Sequence, residues 1–211
     1  MELFFVSASA DYEAVFMAAV ESLLPDSKRD RLLRCRSAQA RTSMGAGELL
    51  LAYALMQQCA MRYVGSDRFE DENGKPCLKT IGSSIHFSIS HSGEYAMVGI
   101  DREEVGVDIQ QHVCVDEAVA RKIMSGDAYQ AWCLTPDKDL FFCEYWTYVE
   151  SILKWKGVGL SGLNDAEEQL PEGVGVHAVA VAEGFSAAAC GRGRVGIHHV
   201  PPDDLVRRWG R

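Results

Sequence analysis

The hydrophobic pattern of the first hundred residues changes from a helical period to an alternating one. DYEAVFMAAVESLLP and residues 38–62 are rich in apolar helix formers, and the second segment is too apolar for a surface helix. RFEDENGKPCL centres on Asn73-Gly74, the strongest short signal of a β-hairpin. IHFSIS alternates apolar and polar residues, which predicts a strand with one polar face. We expect YAMVGI and VGVDI, which flank the acidic turn DREE, to form a hairpin of buried strands.

The rest of the chain repeats this order of helices followed by strands. DEAVARKIM, DAYQAWCL and residues 137–156 have helical patterns, and VHAVAVAE, FSAAAC and VGIHHV are typical of strands. The sequence therefore predicts an α+β fold made of two similar α/β subdomains, residues 1–104 and 105–211.

Charge and composition limit the possible functions. The chain has 211 residues and a formal net charge of −9, which argues against general nucleic-acid binding. A basic segment nevertheless occupies residues 28–41; it is either a solvated helix face or an anion site. Seven cysteines without a CxxC pair, and an N-terminus without signal-peptide or membrane-spanning features, predict a reduced, cytosolic protein.

Two carboxylates stand out from this background. Asp108 alternates with apolar residues in VGVDIQ, so it needs a helix end to cap, an ion-pair partner or a metal. Glu150 and Lys154 lie four residues apart in a predicted helix, where an ordinary Glu–Lys pair is the simplest interpretation.

Four motifs in order change that interpretation. GKP, FSISHSG, VGVDI and WTYVESILKWKGVGLS together resemble the Sfp-type 4'-phosphopantetheinyl transferases from about residue 28 to the C-terminus. The resemblance implies two subdomains related by a pseudo-twofold axis, with the active site in the cleft between them and a monomer as the working unit. It also implies Mg²⁺-dependent transfer of the phosphopantetheine arm of coenzyme A to a serine of an apo carrier protein, releasing adenosine 3',5'-bisphosphate.

The resemblance assigns roles to individual residues. Asp108 and Glu150 would hold Mg²⁺, with Gln110 contributing weakly or through water, and Glu150 would also take the proton of the attacking serine. Lys154 and His91 would stabilise the phosphates during the reaction. An ordinary strand-end histidine is the alternative for His91. The residues expected to contact coenzyme A are Lys28, Arg31, Arg41, Thr42, Lys75, Ser90, His91 and Lys154.

A carrier protein is typically acidic, so its docking surface should combine apolar side chains with positive charge. We expect docking through Arg121, Lys122, Ile123 and Met124, although these residues also fit a plain amphipathic helix.

The chain departs from the family pattern at two positions. Gln110 replaces a third acid, and Val149 replaces the lysine that usually precedes the glutamate. These departures motivate an alternative: a weakened relative that binds coenzyme A or a carrier protein without efficient transfer.

Overall fold

A computed structural model describes residues 1–79, 85–166 and 169–209. Within these ranges the side chains of residues 26–28, 31, 66, 164, 165 and 209 lie outside the description.

Seven α-helices and nine strands make up the described part of the chain, together with short 3-10 helices. The helices are α1 Glu13–Leu23, α2 Asp26–Leu33, α3 Ala38–Cys59, α4 Glu117–Ile123, α5 Gly126–Leu134, α6 Lys138–Lys156 and α7 Pro202–Trp209. The strands are β1 Glu2–Ser7, β2 Arg68–Glu70, β3 Pro76–Leu78, β4 His86–Ser92, β5 Tyr95–Asp101, β6 Gly106–Gln111, β7 Val174–Ala178, β8 Phe185–Arg192 and β9 Gly196–His199. The mixed α+β composition agrees with the sequence prediction.

The strands form two main sheets and a small hairpin. The first sheet has the order β4-β5-β1-β9, and the second has the order β6-β8-β7. β2 and β3 pair around Asn73-Gly74 as predicted, and Gly74 adopts a φ of +83° that the turn requires. β9, from the end of the chain, pairs in parallel with β1.

The two sheets pack against each other, and each is covered on its other face by a long helix. Leu3, Met97 and Val107 contribute to the apolar cluster between the sheets. Helix α3 covers the first sheet, where Leu49 and Leu50 are fully buried in the largest cluster. The segment 38–62, predicted to be too apolar for a surface helix, is thus a core helix that ends at Cys59.

The predicted hairpin of YAMVGI and VGVDI is wrong, because β5 and β6 belong to different sheets. β5 pairs with β4 and β1, whereas β6 pairs with β8. The reason lies in the serines of β4. The backbone N–H groups of residues 107, 109 and 111 donate to the hydroxyls of Ser88 (3.0 Å), Ser90 (3.3 Å) and Ser92 (3.0 Å). Side chains thus satisfy the edge of β6 that a neighbouring strand would otherwise pair with.

Helix α6 lies directly on the backbone of β6. A Cβ atom at Gly106 would come within 2.0 Å of the Ser151 carbonyl oxygen and 2.4 Å of the Trp155 nitrogen. Only glycine allows this approach, which brings the second half of α6 next to Asp108.

The division at residue 104 stays a prediction, as does the pseudo-twofold axis. The last strand and α7 do return to the first sheet, where Val200 and Leu205 are buried in its core. In the part of the chain that the structure describes, no helix has the length and apolar character needed to cross a membrane.

Candidate active site

A cavity of about 220 Å³ opens between the β2–β3 hairpin, the start of β4 and the second half of α6. Its wall includes the hairpin residue Lys75 and the α6 residues Glu150 and Lys154, together with Arg68 and Phe87. A larger depression of about 1150 Å³ lies elsewhere on the surface, and neither Asp108 nor Glu150 lines it. The smaller cavity therefore borders two of the predicted site residues, Glu150 and Lys154, whereas Asp108 does not line it but pairs with Lys154.

Asp108 is 5% exposed and accepts two short hydrogen bonds at one carboxylate oxygen. Its Oδ1 lies 2.6 Å from Lys154 Nζ and 2.6 Å from the Ser90 hydroxyl. Its Oδ2 is buried, and the structure gives this atom no hydrogen-bond partner. An ion pair of Asp108 was one of the possibilities that the sequence left open, and the structure contains it. The partner is Lys154, a cavity residue that is 28% exposed.

Glu150 lies half-buried one turn before Lys154 on α6. Burial raises the pKa of its carboxyl; the Lys154 ammonium opposes this shift, and the Asp108 carboxylate adds to it. Lys154 is ion-paired with Asp108, and Glu150 precedes Lys154 by one turn on the same helix. Lys154 therefore links Asp108 on β6 with the part of α6 that carries Glu150, and the roles assigned to these three residues stay predictions.

The donor set at this point suits a hard cation. An unpartnered buried Oδ2 on Asp108 and a desolvated carboxylate on Glu150 are oxygen ligands of the kind that Mg²⁺ prefers. Gln110 lies two residues further along β6, and its amide nitrogen donates to the Gln111 carbonyl. No group of three or more His, Cys, Asp or Glu side chains that could hold a metal occurs among the described residues.

Two other residues predicted to contact coenzyme A form hydrogen bonds within the protein. Arg41 donates to Glu13 Oε1 (2.5 Å) and to the Cys35 carbonyl (2.5 Å), and the Thr42 hydroxyl donates to the Ala38 carbonyl (2.9 Å). Hydrogen bonding to Glu13 raises the pKa of Arg41.

Two further predicted contacts lie on β4. The Ser90 hydroxyl donates to Asp108 and accepts a hydrogen bond from the Ile109 amide of β6. His91 is exposed near the end of the strand. The side chains of Lys28 and Arg31 lie outside the described residues. All these contacts with coenzyme A stay predictions.

The predicted docking segment divides into two parts. Arg121 and Lys122 are exposed, and Arg121 binds Glu117 and the Tyr129 hydroxyl. Ile123 is half-buried and Met124 is buried in the cluster around Trp132, so the apolar half of this segment faces the interior. Docking through this segment stays a prediction.

Sequence reasoning missed two charged residues at the cavity. Arg68 pairs with Glu48 at 2.8 Å, and its guanidinium carbon lies 5.3 Å from the centre of the Phe87 ring. Glu104 contacts Lys75 from the DREE turn. The turn signal was visible, but nothing in the sequence indicates which side chain an acid in a turn meets.

Comparison with known proteins bears on this site. The family model of the 4'-phosphopantetheinyl transferase superfamily matches residues 97–190, which contain Asp108, Glu150 and Lys154. Residues 97–190 are thus similar to the 4'-phosphopantetheinyl transferase superfamily. The matched segment of this chain begins within β5, ends within β8 and includes the whole of α6.

Curated relatives in the superfamily agree with this match. 4'-phosphopantetheinyl transferase psf-1 of Bacillus pumilus is 33% identical over 130 residues, which cover 60% of this chain and 55% of that protein. 4'-phosphopantetheinyl transferase Sfp of Bacillus subtilis is 27% identical over 143 residues, which cover 66% of this chain and 63% of that protein. The chain thus spans between about half and two thirds of the length of these relatives.

Proposed function

We propose that this protein transfers the 4'-phosphopantetheine moiety of coenzyme A to a serine of an apo carrier protein. The observation that carries the proposal is the ion pair of Asp108 with Lys154 at the wall of a cavity that Glu150 also lines, within the segment that matches the superfamily. The names of the relatives support the same reaction class. Because the cavity wall comes from both halves of one chain, we propose that the monomer is sufficient.

The proposed step is a displacement at phosphorus. The carrier serine oxygen forms a bond to the phosphorus that bears the pantetheine, and the bond from that phosphorus to the bridging oxygen breaks. Adenosine 3',5'-bisphosphate leaves with the bridging oxygen, and the serine proton passes to the Glu150 carboxylate. An ionised carboxylate at the cavity wall suits this task, and Glu150 provides one.

Lys154 and Asp108 prepare the site for the phosphates. The Lys154 ammonium lies at the cavity wall, where it balances negative charge that develops on the leaving phosphate. Asp108 holds this ammonium at 2.6 Å and is itself held by Ser90. Asp108 Oδ2 and Glu150 would hold Mg²⁺, which when bound would neutralise the diphosphate and orient its oxygens.

Mass spectrometry of an apo carrier protein incubated with coenzyme A, Mg²⁺ and this protein tests the proposal. We expect the carrier to gain the mass of one phosphopantetheinyl group. Glu150→Gln should lower kcat/KM by about 100-fold or more, because the base is lost while the side-chain shape is kept. Glu144→Gln is the matched control, since Glu144 lies on the same helix but is exposed and does not line the cavity.

Two results would contradict the proposal. Binding of coenzyme A without modification of the carrier would support the alternative of a weakened relative. Equal activity of Glu150→Gln and the wild-type protein would exclude Glu150 as the base.

A further inference from the structure

Glu104 bridges two residues at the edge of the cavity. Its Oε2 accepts a hydrogen bond from Lys75 Nζ, and its Oε1 lies 2.9 Å from His86 Nδ1. Lys75 Nζ also donates to the Trp155 carbonyl oxygen at 2.8 Å. One ammonium thus joins the β2–β3 hairpin to the last turn of α6, and Glu104 holds it there.

The aliphatic part of Lys75 makes the same connection. Gly157 caps the C-terminal end of α6 with a φ of +73°, and a Cβ atom there would lie 2.8 Å from Lys75 Cδ. Lys75 is only 10% exposed, so its side chain is packed between the hairpin and the helix. A cation at the C-terminal end of a helix is also electrostatically favourable.

This connection lies between the two walls of the cavity. The hairpin contributes Asn73, Gly74, Lys75 and Pro76, and α6 contributes Glu150, Leu153 and Lys154 on the opposite side. The hairpin strands have only three residues each, so they depend on outside contacts to stay in place. The contact of Lys75 with α6, together with the Arg68–Glu48 pair, therefore fixes where the hairpin lies relative to α6.

We propose that Glu104 is a positioning residue, which holds Lys75 on the last turn of α6 and so fixes the hairpin wall of the cavity. The identity of the ligand rests on the proposed function, but the contact itself does not. Glu104 does not reach the reacting atoms, because it acts through Lys75. Loss of Glu104 should leave Asp108, Glu150 and Lys154 in place, since β6 and α6 pack on each other without it.

The neighbouring acid provides a matched control. Glu103 lies in the same turn and pairs with Arg192 at 2.8 Å, at a site where both side chains are well exposed. Glu103→Ala removes the same charge from the same turn without touching Lys75. Glu104→Gln keeps the size of the side chain and one oxygen acceptor, so it separates the role of the charge from that of the contact.

Hydrogen exchange of the free protein tests the contact without any reaction. In Glu104→Ala we expect faster exchange of the backbone amides of residues 68–78, with Glu104→Gln intermediate and Glu103→Ala equal to the wild-type protein. Amides of β5 should not change in any variant. Equal exchange of the hairpin in Glu104→Ala and the wild-type protein would overturn the proposal.

Steady-state kinetics with coenzyme A and an apo carrier protein provides the second measurement. Loss of one charge-assisted contact predicts a KM for coenzyme A raised by about tenfold in Glu104→Ala, with kcat changed less than about threefold. An unchanged or lower KM would overturn the proposal, because it would mean that Glu104 competes with the ligand for Lys75. If the wild-type protein transfers nothing, the proposed function fails while the exchange experiment still decides the role of Glu104.

Discussion

The environment of Asp108 combines a structural ion pair with an unused acceptor. Lys154 and Ser90 both bind Oδ1, and the buried Oδ2 has no hydrogen-bond partner in the structure. A carboxylate that served only the fold would be expected to have both oxygens satisfied. Replacing Asp108 would disturb stability and function together, so Glu150 is the better residue for testing chemistry.

Val149 shows how the family pattern can differ at a single residue. The usual lysine before the glutamate would bring a charge towards the phosphates, but Val149 is 0% exposed and packs with Leu153 and Ala166. The position therefore faces a core cluster, and the valine is a packing residue.

Val149→Lys should lower the melting temperature strongly and should not raise kcat/KM. An unpaired ammonium in this cluster would cost several kcal/mol of unfolding free energy. Tyr148→Lys is the control, because Tyr148 is the neighbouring residue on α6 and is 39% exposed. Thermal melts of both variants check the prediction, and a higher kcat/KM in Val149→Lys would show that the side chain reaches the cavity.

At the scale of elements, the two sheets are joined by side chains. Ser88, Ser90 and Ser92 accept hydrogen bonds from alternate backbone amides of β6. The side chains of β4 thus take the place that the backbone of a neighbouring strand would have in a sheet. The polar face of FSISHSG therefore has a structural use in addition to the contacts predicted for it.

Ser88→Ala should destabilise the protein by about 1–3 kcal/mol, because the buried Val107 amide loses its acceptor. In Ser88→Ala, hydrogen exchange of the Val107 amide should also increase more than that of the β5 amides, relative to the wild-type protein. Ser22→Ala is the control, since the exposed Ser22 hydroxyl only donates to a carbonyl of its own helix. Urea unfolding checks the difference, and equal stability of the two variants would mean that water replaces the hydroxyl.

Most helices and strands could be predicted from the sequence, because periodicity and turn residues are local signals. The long helix α6 and the Asn73-Gly74 hairpin are examples. The pairing of β6 could not be predicted, because nothing local indicates that serine hydroxyls would occupy its edge. The site residues on β6 and α6 came from motifs, whereas Glu104 was missed because its partners lie 18 and 29 residues away.

At the scale of the whole molecule, the end of the chain completes the first sheet. β9 pairs with β1, and the N-terminal ammonium of Met1 contacts the Arg194 carbonyl and Asp101. The segment that matches the superfamily ends at residue 190, before β9 and α7. Stability of the first sheet therefore depends on residues outside the matched segment.

A chain ending at residue 194 should melt at a clearly lower temperature than one ending at residue 209. The shorter chain loses the buried Val200 and Leu205, each worth roughly 1.5–3 kcal/mol of burial. Circular dichroism of both chains measures the difference. Equal melting temperatures would show that β9 and α7 contribute little to the first sheet.

The glycine at position 106 also bears on how this protein could be redesigned. The backbones of β6 and α6 are in direct contact there, so no side chain between them can be shortened or lengthened to change the spacing of Asp108 and Glu150. The hairpin that also lines the cavity is tied to α6 through Lys75 and to α3 through Arg68, and both ties are side chains. Substitutions meant to change what the cavity admits therefore have more room to adjust on the hairpin side.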